Sequence, residues 1–548
     1  MATVHINGTS REYEPGTTLL DISRDFARLY PSPIVAATLG NDAKDLQACI
    51  REDCRVSFLD LTSDEGMRVY RRSLAFVLVA AARDLFPAGE VTVEHSLSKG
   101  LYCEVHLDRE LTAADVDSLQ ERMRQIIAED RPFVRRTMPR AEAIALFAGQ
   151  AGKVKLLSQL QRDTVSVYYC GDLPDYFYGT MAPSTGYLKV FELRFHSPGV
   201  ILRFPEKENP DVLPAFAEQP KLFKVFQEAE QWGKILRCPY VADLNEFAAQ
   251  GQIAEIIRIA EALHEKKLAQ IADYISEHTS EVRVILVAGP SSSGKTTFAQ
   301  RLNVQLRVNG VRPVPVSLDD YFVDRDHTPR DEKGDYDFEA IEALDLELFN
   351  EHLVRMLKGE SVKIPTYNFM SGSREYRGRQ IQLEPDQPLI IEGIHGLNER
   401  LTRAVPRSQK VKIYISALTQ LSIDHHNRVP TTDARIIRRI VRDSQFRSHD
   451  ALKTLEIWPS VRRGEERNIF PYQEEADIMF NSALIYELGV LKNCAEGLLQ
   501  QIGPDSPMYA EAKRLLNFLA YFTTLPEDDI PANSILREFV GKSCFYEA

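Results

Sequence analysis

Residues 282–297, VRVILVAGPSSSGKTT, constrain this chain more than any other stretch. The β-branched and apolar run from Val282 to Ala288 predicts a buried parallel strand. It breaks at Gly289, and Gly289, Pro290, Ser291, Ser292, Ser293, Gly294, Lys295 and Thr296 fit G-x-x-x-x-G-K-[ST] at every fixed position. A helix is expected from Lys295 to about Val308, ended by Asn309-Gly310. Strand, glycine loop and helix together aim backbone amides at one point, where a phosphate binds. In such a motif the Lys295 amine reaches the β- and γ-phosphates and the Thr296 hydroxyl ligates Mg²⁺. A nucleoside-triphosphate site is the expectation.

With 548 residues the chain exceeds one typical domain. A net charge of −13 argues against a general nucleic-acid or membrane-surface binder, while local basic patches stay open. Seven cysteines without a C-x-x-C pair suit reduced thiols better than a disulfide frame or a thiolate zinc site. The start, MATVHINGTS, lacks a basic-then-apolar signal pattern, and the apolar run from Leu74 to Ala82 is too short to span a bilayer. A soluble cytoplasmic protein without membrane partners is expected.

Residues 1–62 carry an Asn7-Gly8 hairpin signal, a short helix with Leu19, Leu20, Ile22 and Phe26, and later short strands at 34–39 and 55–59. This order resembles the TGS β-grasp module of threonyl-tRNA synthetases and of some regulatory GTPases and nucleotide hydrolases, which implies binding or docking rather than chemistry. Residues 63–205 show a helix from Val69 to Leu85, strands near 91–93 and 101–107, and a second helix opened by Thr112. They resemble the editing domain of threonyl-tRNA synthetase, most clearly at Met181-Ala-Pro-Ser-Thr-Gly186-Tyr-Leu-Lys-Val-Phe191. That editing site uses an H-x-x-x-H pair and a C-x-x-x-H pair, and here the four positions fall on Arg72, Phe76, Phe177 and Met181. The fold is expected without the hydrolytic chemistry; Cys170 and His196 stand nearby at the wrong spacing. Residues 206–280 read as a helical connector, either a packing element or a hinge.

From about 281, alternating strand and helix patterns imply a parallel α/β sheet with ligands at the strand C-termini. A second strand, 311–318, ends in Asp319-Asp320-Tyr321-Phe322. A carboxylate there can take a proton from a substrate hydroxyl beside Mg²⁺, although a plain capping Asp is the bland alternative. Residues 388–395, PLIIEGIH, form another apolar strand ending in an acid, Glu392, with the layout of a second Mg²⁺-side carboxylate. Arg435, Arg438, Arg439 and Arg442 share one helix face, either a solvated basic face or a lid that closes guanidinium groups onto transferring phosphates.

In this order GPSSSGKTT, SLDDYF, IPTYNF…SR, IIEGIHGL and RRIVRD resemble the uridine kinase/phosphoribulokinase family over about 281–490. The resemblance implies ATP- and Mg²⁺-dependent phosphorylation of a hydroxyl, typically a nucleoside 5′-OH. It extends the ATP-binding loop through Thr297 and makes Asp319 the general base. Asp319 also surrounds Mg²⁺ with Thr296 and Glu392, and Lys295, Arg439, Arg442 and Arg447 meet the phosphates. Phe322, Glu339, Tyr367, Phe369 and Arg374 fall on the acceptor side. One departure concerns base choice: the His of the family's Y-D-[FY]-x-x-H-[ST]-R run is Gly372 here, and its Asp is Asn368.

The expected architecture is therefore multidomain: TGS-like β-grasp (1–62) and degenerate editing-like (63–205) α+β domains, a connector (206–280), an α/β P-loop kinase domain (281–500) and a helical tail (501–548) without chemistry of its own. A different acceptor, such as a pentose phosphate, and a non-enzymatic NTP-sensing or tRNA-docking regulator remain alternatives. Homo-oligomerisation stays open.

Overall fold

The computed structural model describes residues 1–546 except Lys333 and Phe369. The first sheet has the order 9–13, 2–6, 54–60, 34–39, 42–44. Its opening hairpin turns through Asn7 and Gly8, both at positive φ (48° and 79°), the geometry that matches the strands' own twist. Helix Leu19–Phe26, capped by Thr18, packs Leu19, Ile22 and Phe26 onto this sheet's core.

Helix Asp64–Leu85 begins five residues before the apolar periodicity does, because Ser63 caps it and Asp64 and Glu65 fill its first turn. Its central turns are buried on all sides. It is surrounded by helix Ala113–Ala128 and by strands of two antiparallel sheets, 192–196/199–203/100–106/90–97 and 173–175/164–170/133–139. The connector holds three helices, Pro220–Leu236, Val241–Ala249 and Ile253–Glu277. Ile257, Leu268 and Ile275 of the third enter the same core as Phe298 and Leu302 of helix Lys295–Val308, so it packs as part of that core.

The C-terminal half is built on five parallel strands in the order 314–317, 389–392, 284–288, 410–416, 478–481. Strand Val284–Ala288 lies in the middle with every residue buried. Ile285 and Val287 point into one core and Val284 and Leu286 into the other, as a sheet covered on both faces requires. Among the described residues no helix is long and apolar enough to cross a membrane.

Candidate active site

The parallel register sets Val287 beside Glu392 and Glu392 beside Ser317, so three strands end together at the glycine loop. Asp319 follows on the 3₁₀ turn Leu318–Tyr321. The Ser317 hydroxyl donates to Glu392 Oε1 at 2.9 Å. Burial pushes the Glu392 carboxyl up to about 7 and the Asp319 charge adds to this, while the Lys295 ammonium and the Ser317 hydroxyl oppose it. The acid on each strand end and the loop lysine thus share one small volume. Burial likewise lifts Glu339 to about 7, helped by Glu465 and opposed by Arg439 and Lys295. Glu339 Oε2 is buried with no partner.

The loop's tight path needs its glycines. A Cβ at Gly289 would stand 2.0 Å from the Ile415 carbonyl, and Gly294 has φ +84°. Behind the loop runs helix Thr431–Phe446, and here the expected lid is corrected. Arg435 and Arg438 are 1% and 0% exposed. Arg435 Nε donates to the Ser291 carbonyl at 3.0 Å and Arg438 Nη1 to the Ser292 carbonyl at 3.3 Å. Their charges are matched by Glu465 and Glu487. The reason is that Ile436, Ile437, Ile440 and Val441 bury the helix on its other sides, and a guanidinium drawn into a core must be paired.

Arg439, Arg442 and Arg447 gather instead around Asp443, at 3.1, 3.3 and 3.7 Å. Arg439 Nη1 also donates to Ser291 Oγ at 2.8 Å. The neighbouring Arg442 charge, then burial, holds Arg447 down to about 10, with Asp319 among the carboxylates that oppose the shift. Arg442 Nη2 is buried and without a partner, as are the hydroxyls of Ser292 and Ser293. These are donors that the protein's own hydrogen bonds leave unused.

On the acceptor side Phe322 packs against Tyr367 (centroids 5.5 Å) and Phe338 (6.2 Å). Phe369 lies outside the described residues. Arg374 is not brought into the carboxylate cluster: its guanidinium pairs at 2.8 Å with Asp345, the N-cap of helix Leu346–Leu357. At Gly372, with φ +70°, a Cβ would lie 2.7 Å from Arg325 Nε, so a guanidinium fills the place of the absent imidazole.

The chain reading missed three groups that touch the loop. Ser291 N–H donates to Glu465 Oε1 at 3.0 Å, and Thr297 Oγ1 donates to Glu538 Oε2 at 2.9 Å. The Tyr546 hydroxyl lies 3.1 Å from Thr297 Oγ1. Glu538 and Tyr546 belong to the tail, for which no chemistry was expected, and they set it against the start of the loop helix. No motif marks them; the only signal was a charged Arg537-Glu538 pair between apolar neighbours in ILREFV.

At the editing-like positions Phe76 is packed between Phe133 (stacked, 5.8 Å) and Phe177 (tilted, 5.1 Å), and Arg72 Nη1 donates to the Thr180 carbonyl at 2.5 Å. Burial raises the Cys170 thiol to about 11. No group of three or more His, Cys, Asp or Glu that could hold a metal occurs among the described residues.

Residues 284–484 match the profile described as Phosphoribulokinase / Uridine kinase family. The C-terminal half carries a domain of that family. The N-terminal half matches the TGS and editing region of threonine–tRNA ligases. Those of Pelobacter propionicus and Desulforamulus reducens are 31% and 33% identical over 189 and 190 residues, 34% of this chain in each case. The matched segment spans only 30% of the length of either ligase. Two solved structures are similar to part of this chain. The first, described as "a Possible Uridine Kinase from Bacillus stearothermophilus", is 20% identical, covers 39% of this chain and 100% of that one, and has a TM-score of 0.26. The second, a D-glycerate 3-kinase from Cryptococcus neoformans var. grubii, is 15% identical, covers 48% and 89%, and has a TM-score of 0.23.

Proposed function

We propose that this protein is a cytoplasmic ATP- and Mg²⁺-dependent kinase that phosphorylates the hydroxyl of a small molecule, a nucleoside 5′-OH first among acceptors. The reading is carried by one observation: the strand that ends in Glu392 lies beside the one that leads into Asp319, and both finish at the glycine loop that carries Lys295. The donor set suits a nucleotide, since the Ser292 and Ser293 hydroxyls and Arg442 Nη2 are buried without partners. Lys295, Arg439, Arg442 and Arg447 would hold phosphate oxygens from Gly289 to Thr297 outward. Thr296, Asp319 and Glu392 would hold Mg²⁺, which when bound neutralises charge on the phosphates. Asp319 accepts the acceptor's hydroxyl proton, and Phe322 and Tyr367 give a planar base a face to stack on. Glu339, with its raised affinity for a proton, can hydrogen-bond an acceptor hydroxyl in either state.

A second acceptor class, a pentose phosphate, is favoured by Arg325 in the place of the neutral imidazole. The phenylalanine-filled editing positions favour a docking role without hydrolysis for the N-terminal half. Purified protein incubated with ATP, Mg²⁺ and a panel of nucleosides and pentose phosphates decides the activity. Acceptor-dependent ADP with a nucleoside supports the first reading, with a pentose phosphate the second, and ADP with neither rejects both.

A further inference from the structure

We propose that segment 530–546 is a built-in competitor of the nucleotide: the Glu538 carboxylate occupies a phosphate subsite of the glycine loop and must leave when nucleotide binds. The inference rests on the kinase reading of this loop.

Thr297 is the third residue of helix Lys295–Val308, whose first helical hydrogen bond runs from Phe298 N to the Gly294 carbonyl. Its N–H therefore has no acceptor within the helix and points out of the positive end. Glu538 Oε2 accepts from that N–H at 3.3 Å and from Thr297 Oγ1 at 2.9 Å. One amide and one hydroxyl at a helix N-terminus are the donors a phosphate oxygen needs. A carboxylate and a phosphate cannot share them, because both are anionic and both only accept.

The segment is firmly seated. Ile535, Leu536 and Phe539 are each 0% exposed, Arg438 lies 4.9 Å from the Phe539 ring centre, and Ile535 Cγ2 would stand 2.5 Å from a Cβ at Gly294. Tyr546, 39% exposed, closes the arrangement from its outer side through Thr297 Oγ1. Apolar anchors thus keep the segment folded while one rotatable side chain contests the phosphate position.

The test uses the full chain and calorimetric titration with Mg·ATP and, separately, adenosine. Removing an internal competitor raises the competent fraction and tightens apparent affinity by its reciprocal. Glu538→Ala is expected to bind Mg·ATP at least about tenfold more tightly than the unmodified protein, with adenosine binding unchanged. If the Ala variant does not fold, Glu538→Gln carries the same comparison with a smaller gain. Equal or weaker ATP binding by the variant, with the unmodified protein binding ATP, overturns the competitor alone. ATP binding by neither protein overturns the nucleotide reading and the competitor together.

Discussion

The amide of Ser291 donates to Glu465 Oε1 at 3.0 Å, joining the glycine loop to helix Ala451–Asn468 across 174 residues of sequence. Glu465 is 0% exposed and also meets Arg435 and, at 3.0 Å, Arg462. The loop's shape therefore depends on a buried carboxylate that no loop motif contains. Removing it leaves the Arg435 charge buried and unmatched. Glu465→Ala is expected to cost about 3–5 kcal/mol, read as a fall in the denaturant midpoint, and Glu465→Gln distinctly less. Equal stability of the Ala variant and the unmodified protein would contradict this.

Asp319→Asn keeps the side chain's size and removes its capacity to take a proton. Acceptor-dependent ADP formation should drop by about 10²–10⁴-fold while Mg·ATP binding persists. Turnover assays beside equilibrium titration make the check, and a fully active variant removes Asp319 as base.

Stability of the metal-free protein should fall as pH rises from about 5 to about 8. The folded Glu392 carboxyl titrates near 7, burial first and Asp319 second, whereas an unfolded glutamate titrates near about 4.3. Between those values the folded state holds a proton the unfolded chain has released. Stabilisation present below the unfolded value is thus lost as pH passes through the folded one. Melting temperature against pH should flatten in Glu392→Gln. Glu339, also raised to about 7, adds a slope of the same sign, which Glu339→Gln should remove.

Restoring the family's imidazole by Gly372→His should fail to restore pyrimidine selectivity. The residue sits at φ +70° and its Cβ would meet Arg325 Nε at 2.7 Å, so the variant should lose about 1–3 kcal/mol of stability. A melting curve and the nucleoside panel give the answer; a stable, base-selective variant would show that Arg325 yields.

Phe76→Ala should cost about 3–5 kcal/mol, because Phe76 is 0% exposed and packed between Phe133 and Phe177. The denaturant midpoint measures it. A small effect would mean that the surrounding rings close over the shortened side chain.

Much of the site was legible because its parts are local. Gly289 to Thr296 fits a contiguous pattern, and Asp319 and Glu392 each end an apolar strand, so the sheet's parallel order alone brings them to the loop. The arginine helix was legible as a helix, but Arg435 and Arg438 brace the loop from behind and form no part of a lid. Its periodicity showed the shared face of Arg435, Arg438, Arg439 and Arg442 but not that Glu465 and Glu487 lie opposite the first two. Arg374 matched a motif, yet its partner Asp345 claims it.

By itself the sequence determined the loop, the strand-end acids and the vacated editing positions, since each follows from residue type within a few neighbours. Tertiary structure alone decided which arginines brace the loop and which face the acids. It also decided that Glu538, 241 residues beyond Thr297, stands at the helix N-terminus. The physical reason is that charge pairing in a core depends on what the fold places opposite a side chain, and contacts so distant in sequence leave no periodicity along the chain to read.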